Sequence, residues 1–413
     1  MIWGNVSSAW PTRAPQVSSG SLADGPLPHV AHIGFFLDPQ QRGPRELLRA
    51  WPSLVDVAEA AARSVRRLSV VQACARSDTL WHRGVTYYFV APPTGTPPRS
   101  RARECAEQIT DLIGELHPDV IHVHGLDFPR AVTLLAKRWP KTPILLQDHA
   151  SRPPPIWRRW LWRRGAARAA GIAICGSEQL APFAAARLLP PRLRVFEIPE
   201  STSHFAPADR SHARRATGLK GSPAVLWVGR LDPNKDPLTV LAAVRRVVAD
   251  LPQLELWCCF GSAALLREVE RRVRADPVLR QRVHLLGTVP HGQIEMLMNA
   301  ADLYVSASHH EGSGYALIEA LACGLPPVVS DIPSFRALTA RGSVGDLWAC
   351  GNPDALAASL IRAAARPQDE TRARVHAHFM GELSSMALGR KLGAAYAQLL
   401  NASDSGPAVG SEH

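Results

Sequence analysis

The sequence predicts an α/β chain built from two doubly wound Rossmann-like domains. Three observations lead there. Short apolar strands alternate with helical patterns, and the alternation occurs twice along the chain. Several strand candidates, such as Ala224-Val225-Leu226-Trp227-Val228, are apolar throughout, as strands covered on both faces of a parallel sheet must be. A polar stretch over 199–220, rich in Ser, Pro and charge, separates the two sets.

The strand candidates of the first set are Ala31–Phe36, Leu68–Ala73, Val85–Val90, Val120–His124, Pro143–Gln147, Ile172–Cys175 and Leu193–Ile198. The second set comprises Ala224–Val228, Leu254–Phe260, Val283–Leu286, Leu303–Ser306 and Pro327–Ser330. The expected organisation is a tail over 1–28, a first domain over 29–205 and a second over 206–376. A final helix over about 377–401 is expected to cross back to the first domain, before a second tail over 402–413. Both tails are read as disordered, from their Ser, Pro, Gly and Ala content without periodicity.

Composition narrows the class. The 413 residues are 46% apolar, which suits a globular enzyme of two or three domains. No run of 18 uninterrupted apolar residues occurs, so no membrane-spanning helix is expected. The opening Met1-Ile2-Trp3-Gly4-Asn5 lacks the basic-then-apolar order of a secretory signal, so a cytoplasmic location is expected. The seven cysteines are scattered and none has C-x-x-C spacing, which reads as buried reduced thiols. The net charge of +11 attracts nucleic acids, anionic membranes and phosphorylated substrates alike.

Two segments carry chemistry. In Val228-Gly229-Arg230-Leu231-Asp232-Pro233-Asn234-Lys235 a buried strand ends at Gly229, and Arg230 and Lys235 set two cations at the strand's C-terminal edge. Ligands of open α/β sheets bind at that edge, and two cations beside a helix start suit a pyrophosphate. A solvated loop with two ordinary basic residues would look the same. The segment His310-Glu311-Gly312-Ser313-Gly314-Tyr315 follows another strand and opens a helix. Its glycines permit close backbone approach, and free N–H groups at a helix start can meet a phosphate. Glu319 lies in an otherwise apolar helical run, where a carboxylate needs a partner: a ribose hydroxyl or an internal salt bridge.

These residues carry a resemblance. Glu311 and Glu319 stand at the E-x7-E spacing of retaining glycosyltransferases of GT-B fold. With Gly229-Arg230-Leu231…Lys235, Gly324…Pro327-Val328-Val329 and Asn352-Pro353-Asp354-Ala355-Leu356, the segment over 224–362 resembles glycosyltransferase family four, group 1 type. The resemblance implies two Rossmann-like domains facing a cleft, and a nucleoside diphosphate sugar as donor. It further implies no cofactor, no metal, and retention at the anomeric carbon. By the same resemblance Glu311 contacts the donor sugar, Glu319 the ribose, and Arg230 and Lys235 the leaving diphosphate. Gly229, Gly312, Ser313, Gly314 and Tyr315 would approach sugar and phosphates, and Gly287 and Val289 would border the base. A donor phosphate oxygen would take the acceptor proton.

The first half resembles the family less. Pro118-Asp119-Val120-Ile121-His122-Val123-His124-Gly125 matches the strand expected to face the cleft, and Gln147-Asp148-His149 matches a strand end where the family often has a sugar-contacting histidine. His149 is assigned that role. His122 and His124, two apart in a strand, are expected on one face. A structural role is the other reading for each histidine. Where the family has a glycine pair after its first strand, this chain has only Gly43, and its linker reads Pro199-Glu200-Ser201-Thr202-Ser203.

In the segment over 156–164, Ile156, Trp157, Trp160 and Leu161 form one helical face among arginines, and Trp162 interrupts it. The face suits an anionic lipid surface at the inner membrane or packing inside the first domain. The acceptor, whether lipid-linked, saccharide or small molecule, is not specified, and a role in cell-envelope or other glycoconjugate synthesis is expected. Two rival readings stand beside this one: another GT-B enzyme such as a nucleotide-sugar epimerase, which needs no acceptor, and a non-catalytic nucleic-acid-binding protein. No nucleic-acid-binding motif is present.

Overall fold

The computed structural model describes residues 27–404 apart from residue 99. Most of both expected tails lies outside the described residues. The described chain divides into two compact units. The first comprises residues up to Ile174, Leu180–Ile198, and those from Leu388 on; the second comprises Cys175–Gln179 and Pro199–Ala387.

The first unit is built on eight strands: β1 His29–Gly34, β2 Arg67–Ala73, β3 Asp78–His82, β4 Val85–Val90, β5 Val120–His124, β6 Ile144–Gln147, β7 Gly171–Ile174 and β8 Arg194–Glu197. Their order is β3-β4-β2-β1-β5-β6-β7-β8. All pairs are parallel except β3–β4, a hairpin turning through Arg83 and Gly84, both at positive φ. The edge strand β3 was not anticipated. Its residues are exposed or half-buried, so it lacks the apolar run that marks the others.

Alternation along the central strands sends side chains to two cores. Ala31, Ile33, Ile121 and Val123 face one side, with helix Arg101–Leu116 supplying Ile109 and Ile113. Val30, Val70 and Val120 face the other, where Leu388, Leu392, Tyr396 and Leu399 of the last helix, Ser385–Asp404, cover them. Gly389 and Gly393 let that helix approach closely: a Cβ on Gly389 would lie 2.4 Å from the Ala60 carbonyl oxygen. The expected single helical segment beginning near 377 is two helices, Gln368–Glu382 and Ser385–Asp404. The break falls at Leu383–Ser384, where Ser384 Oγ accepts from the Ala387 N–H.

The second unit carries β9 Ala224–Gly229, β10 Glu255–Phe260, β11 Val283–Gly287, β12 Leu303–Ser306, β13 Pro327–Ser330 and β14 Asp346–Trp348. The order β11-β10-β9-β12-β13-β14 is parallel throughout. The reversal of order between β9 and β12 is the topological switch point of a doubly wound sheet. The three-residue edge strand β14 was not anticipated, being too short for a periodic signal. Each sheet is covered on both faces, so both units are Rossmann-like.

Candidate donor site and histidine cluster

The C-terminal ends of β9 and β12 lie side by side and each releases a loop that carries candidate site residues. The two loops are tied together: the His309 N–H donates to the Asn234 carbonyl at 2.8 Å, and Asn234 Nδ2 donates to the His310 carbonyl at 2.9 Å. The tie brings together residues that the sequence separates by 76 positions. Lys235 Nζ is hydrogen-bonded and ion-paired with Glu311 Oε1, both side chains largely buried. Arg230 is exposed at the same edge and pairs with Asp232 at 2.8 Å. Asp232 Oδ1 also accepts from the Lys235 N–H at 2.9 Å, which shapes the turn carrying both cations.

Beyond Glu311, Gly312 and Ser313 are buried, and Gly314 starts helix Tyr315–Ala322 at φ +81°. A Cβ on Gly314 would lie 2.6 Å from the Phe335 ring, so both the dihedral and the packing select glycine there. Tyr315 is exposed. At Gly229 the added Cβ would come within 3.3 Å of Trp227, a tight fit. Glu319, one turn into the helix, accepts from His291 Nε2 at 2.6 Å. Of the two partners open to it from sequence, the fold supplies the internal one. Gly287 closes β11 at φ +69°, and Val289 packs on the core below, ahead of helix His291–Ala300.

Three contributors escaped the sequence reading. Glu200 and Ser313 exchange bonds: the Glu200 N–H donates to Ser313 Oγ at 3.0 Å, and the Ser313 N–H donates to Glu200 Oε1 at 3.1 Å. Gln179 Nε2 donates to the carbonyls of Glu311 and Gly312, at 3.0 Å each. His291 completes the set. The unusual linker Pro199-Glu200-Ser201 was the single signal available, since side-chain pairing over 113 or 132 residues has no local pattern.

In the first unit Gly43 starts helix Pro44–Ala50, and its N–H donates to Glu46 Oε2 at 2.8 Å. Arg42 pairs with Asp38 at 2.6 Å and holds that carboxyl down at about 2. The histidines collect elsewhere in this unit. His32 of β1 and His122 of β5 are register partners, and His124 follows two residues on, stacked with His122 at a ring-centroid distance of 4.6 Å. His124 Nδ1 lies 3.2 Å from Nε2 of the exposed His149, just past the end of β6. Burial lowers His32 to about 3 and holds His122 and His124 well below the ordinary histidine range. His32, missed from sequence, looked like one residue of an apolar strand.

The tryptophan segment resolves in an unexpected way. Ile156, Trp157 and Trp160 are 78%, 73% and 57% exposed, whereas Trp162, which breaks the stripe, is buried against Phe183. Gly165 and Ala166 complete the inward face. Of the three tryptophans of the segment, Trp162 is the one that packs inside. Six of the cysteines are buried and Cys350 is exposed, which corrects the reading of all seven as buried. Its Sγ lies 3.2 Å from His309 Nδ1.

Two family models match. The model described as glycosyl transferases group 1 covers residues 209–377, and that described as glycosyltransferase family 4 covers residues 42–198. The chain belongs to the group 1 glycosyltransferases. It is 31% identical over 236 residues to a GDP-mannose:cellobiosyl-diphosphopolyprenol alpha-mannosyltransferase of Xanthomonas campestris, covering 55% of this chain and 60% of that one. It is 30% identical over 262 residues to a phosphatidyl-myo-inositol mannosyltransferase of Mycolicibacterium smegmatis, covering 62% of this chain and 64% of the relative. The matched regions thus span roughly 60% of these curated relatives. Among solved structures, a sucrose-phosphate synthase from Thermosynechococcus elongatus matches with a TM-score of 0.68 at 20% identity, over 91% of this chain and 99% of that one. Anabaena Alr3699/HepE in complex with UDP-glucose matches with a TM-score of 0.64 at 16% identity, over 90% and 100%. The fold of this group 1 glycosyltransferase is accordingly GT-B.

Proposed function

We propose that this glycosyltransferase moves a sugar from a nucleoside diphosphate sugar to a lipid-linked acceptor, with retention and without a metal ion. The observation that carries the reading is the joined pair of loops after β9 and β12. They set Arg230 and the Lys235–Glu311 pair beside the glycine loop 312–314. Cations fixed at one edge stabilise charge developing on a leaving diphosphate, and preorganised charge is the largest lever available to such a site. Glu311 is assigned to the donor sugar and Glu319 to the ribose, displacing His291. Gly229, Gly312, Ser313, Gly314 and Tyr315 are assigned to sugar and phosphates, Gly287 and Val289 to the base, and His149 to the transferred sugar. Gly43 is assigned to the phosphates.

The acceptor class rests on two supports. The two relatives described above are named for a diphosphopolyprenol and a phosphatidylinositol. The exposed Ile156, Trp157 and Trp160, flanked by Arg158, Arg159, Arg163 and Arg164, have the composition of a surface that rests on anionic lipid. No helix among the described residues is long and apolar enough to cross a membrane, so attachment would be peripheral.

A thermal-shift screen with UDP-, GDP-, ADP- and TDP-sugars tests the donor. A ligand present at 100 times its Kd adds about 2.7 kcal/mol of apparent stability. One of the four should raise the melting temperature, and its transfer should survive excess EDTA. No shift with any donor refutes the nucleotide-sugar reading, and EDTA loss rescued by Mg²⁺ refutes metal independence.

A further inference from the structure

His32, His122, His124 and the exposed His149 of the first unit form one continuous hydrogen-bonded chain with Tyr396. His149 Nε2 faces His124 Nδ1 at 3.2 Å, and His124 Nε2 faces His32 Nδ1 at 3.2 Å. His32 Nε2 lies 2.8 Å from the Tyr396 hydroxyl and 3.2 Å from His122 Nδ1, and the hydroxyl is 2.9 Å from His122 Nδ1. At the far end His122 Nε2 and Gln147 Oε1 are both buried without a hydrogen bond. The Gln147 carboxamide nonetheless acts on His122, opposing part of the burial effect. Burial keeps His32, His122 and His124 neutral, so each ring carries one N–H.

Proton counting then leaves two arrangements. In one, every ring is protonated at Nδ1: His122 donates to Tyr396, Tyr396 to His32, His32 to His124 and His124 to His149. In the other, every ring is protonated at Nε2 and the whole chain runs the opposite way. Any mixed set turns two lone pairs or two N–H groups toward each other somewhere along the chain. The first arrangement leaves His122 Nε2 and Gln147 Oε1 as two buried acceptors without a donor. The second gives His122 an N–H to match the unsatisfied acceptor of Gln147, and unsatisfied buried groups are costly. A metal ion is the competing occupant, because the ligand atoms of His32, His122 and His124 lie within 4.8 Å of one another. Yet His32 offers Nε2 to His122 and Nδ1 to His124, so no single ion can take both facing pairs.

We infer that the row His122–Tyr396–His32–His124 is a tautomer lock, anchored by Gln147, that holds the His149 proton on Nε2, where it donates to His124 Nδ1. His32, His122 and His124 act through His149 and are positioning residues.

The test is long-range ¹H–¹⁵N spectroscopy of histidine-labelled protein at neutral pH, which reads each ring's tautomer without any donor or acceptor. Its failure is therefore distinct from failure of the transferase reading. His149→Gln and single variants of the other three rings assign the signals. All four rings should be Nε2–H. A ring of the four protonated at Nδ1, or one zinc per chain in the purified protein, overturns the inference. His122→Leu removes the anchored end and leaves Tyr396 to donate to His32, so the His149 Nδ1–H to Nε2–H ratio should rise by about tenfold or more, four links away. An unchanged ratio in a folded His122→Leu protein overturns the inference. Tyr396→Phe should leave His149 unchanged, because His32 Nε2 reaches His122 Nδ1 directly, and a flip there also overturns it.

Discussion

Glu311 and Glu319 illustrate how much a residue's role depends on the group it already holds. Glu311 sits in the glycine loop with Lys235 as its partner, while Glu319 is held by His291 in the helix behind. Hydrogen bonds to charged groups contribute roughly 1.5–3 kcal/mol. Glu319→Gln should therefore weaken binding of the free nucleoside diphosphate and of the intact donor alike, by about tenfold to a hundredfold. Glu311→Gln should leave nucleoside diphosphate affinity nearly intact and lower kcat, because its assigned contact is to the sugar whose charge changes in the transition state. Calorimetry with the nucleotide and steady-state kinetics with the donor measure the two. Wild-type turnover in Glu311→Gln would refute the assignment.

At the scale of elements, helix Arg159–Ala166 and the turn before it show two faces with separate tasks. Trp162, Gly165 and Ala166 anchor the helix in the first unit, leaving Ile156, Trp157 and Trp160 outside. Each basic residue close to an anionic surface contributes about 1 kcal/mol, screened by salt. Vesicle sedimentation should show binding to anionic but not neutral vesicles, falling with salt and with Trp157→Ala/Trp160→Ala. The double variant should melt with the wild type, since neither side chain belongs to a core. Equal binding to neutral and anionic vesicles, or an unaltered double variant, removes lipid docking from the proposed function.

Across the whole molecule, the two units should answer acid differently. His29 at about 4, His32 at about 3, and His122 and His124 well below the ordinary range all lie in the first unit. Their folded-state pKa values are depressed, so the unfolded chain takes up protons first. The stability they permit is complete above about pH 6.5 and is lost as pH falls from there toward 3–4. Each histidine contributes up to about 1.4 kcal/mol per pH unit in that window. Hydrogen exchange of β1 and β5 amides should accelerate between pH 6.5 and 5, after correction for intrinsic rates, well before those of β9 and β12. Equal protection of both sheets over that range would show that these rings are not buried neutral in the folded chain.

The division between sequence and tertiary structure follows the range of the forces involved. Twelve strands, the switch from strand to helix at Gly229 and Gly314, and the cation and glutamate set were legible because each is written within some fifteen residues. Burial of a strand on both faces demands an unbroken apolar run, and the positive φ of Gly314 favours glycine. Two of the four edge strands, β3 and β14, were not legible, since β3 is exposed or half-buried along its length and β14 has only three residues. What only the folded chain decided is which polar groups hold each other: Lys235 with Glu311, His291 with Glu319, Glu200 with Ser313, and four histidines with Tyr396 across 364 residues. A buried polar side chain must find a partner, but any suitable partner at any sequence distance meets that demand, so the choice belongs to the packing of the helices and sheets that carry them.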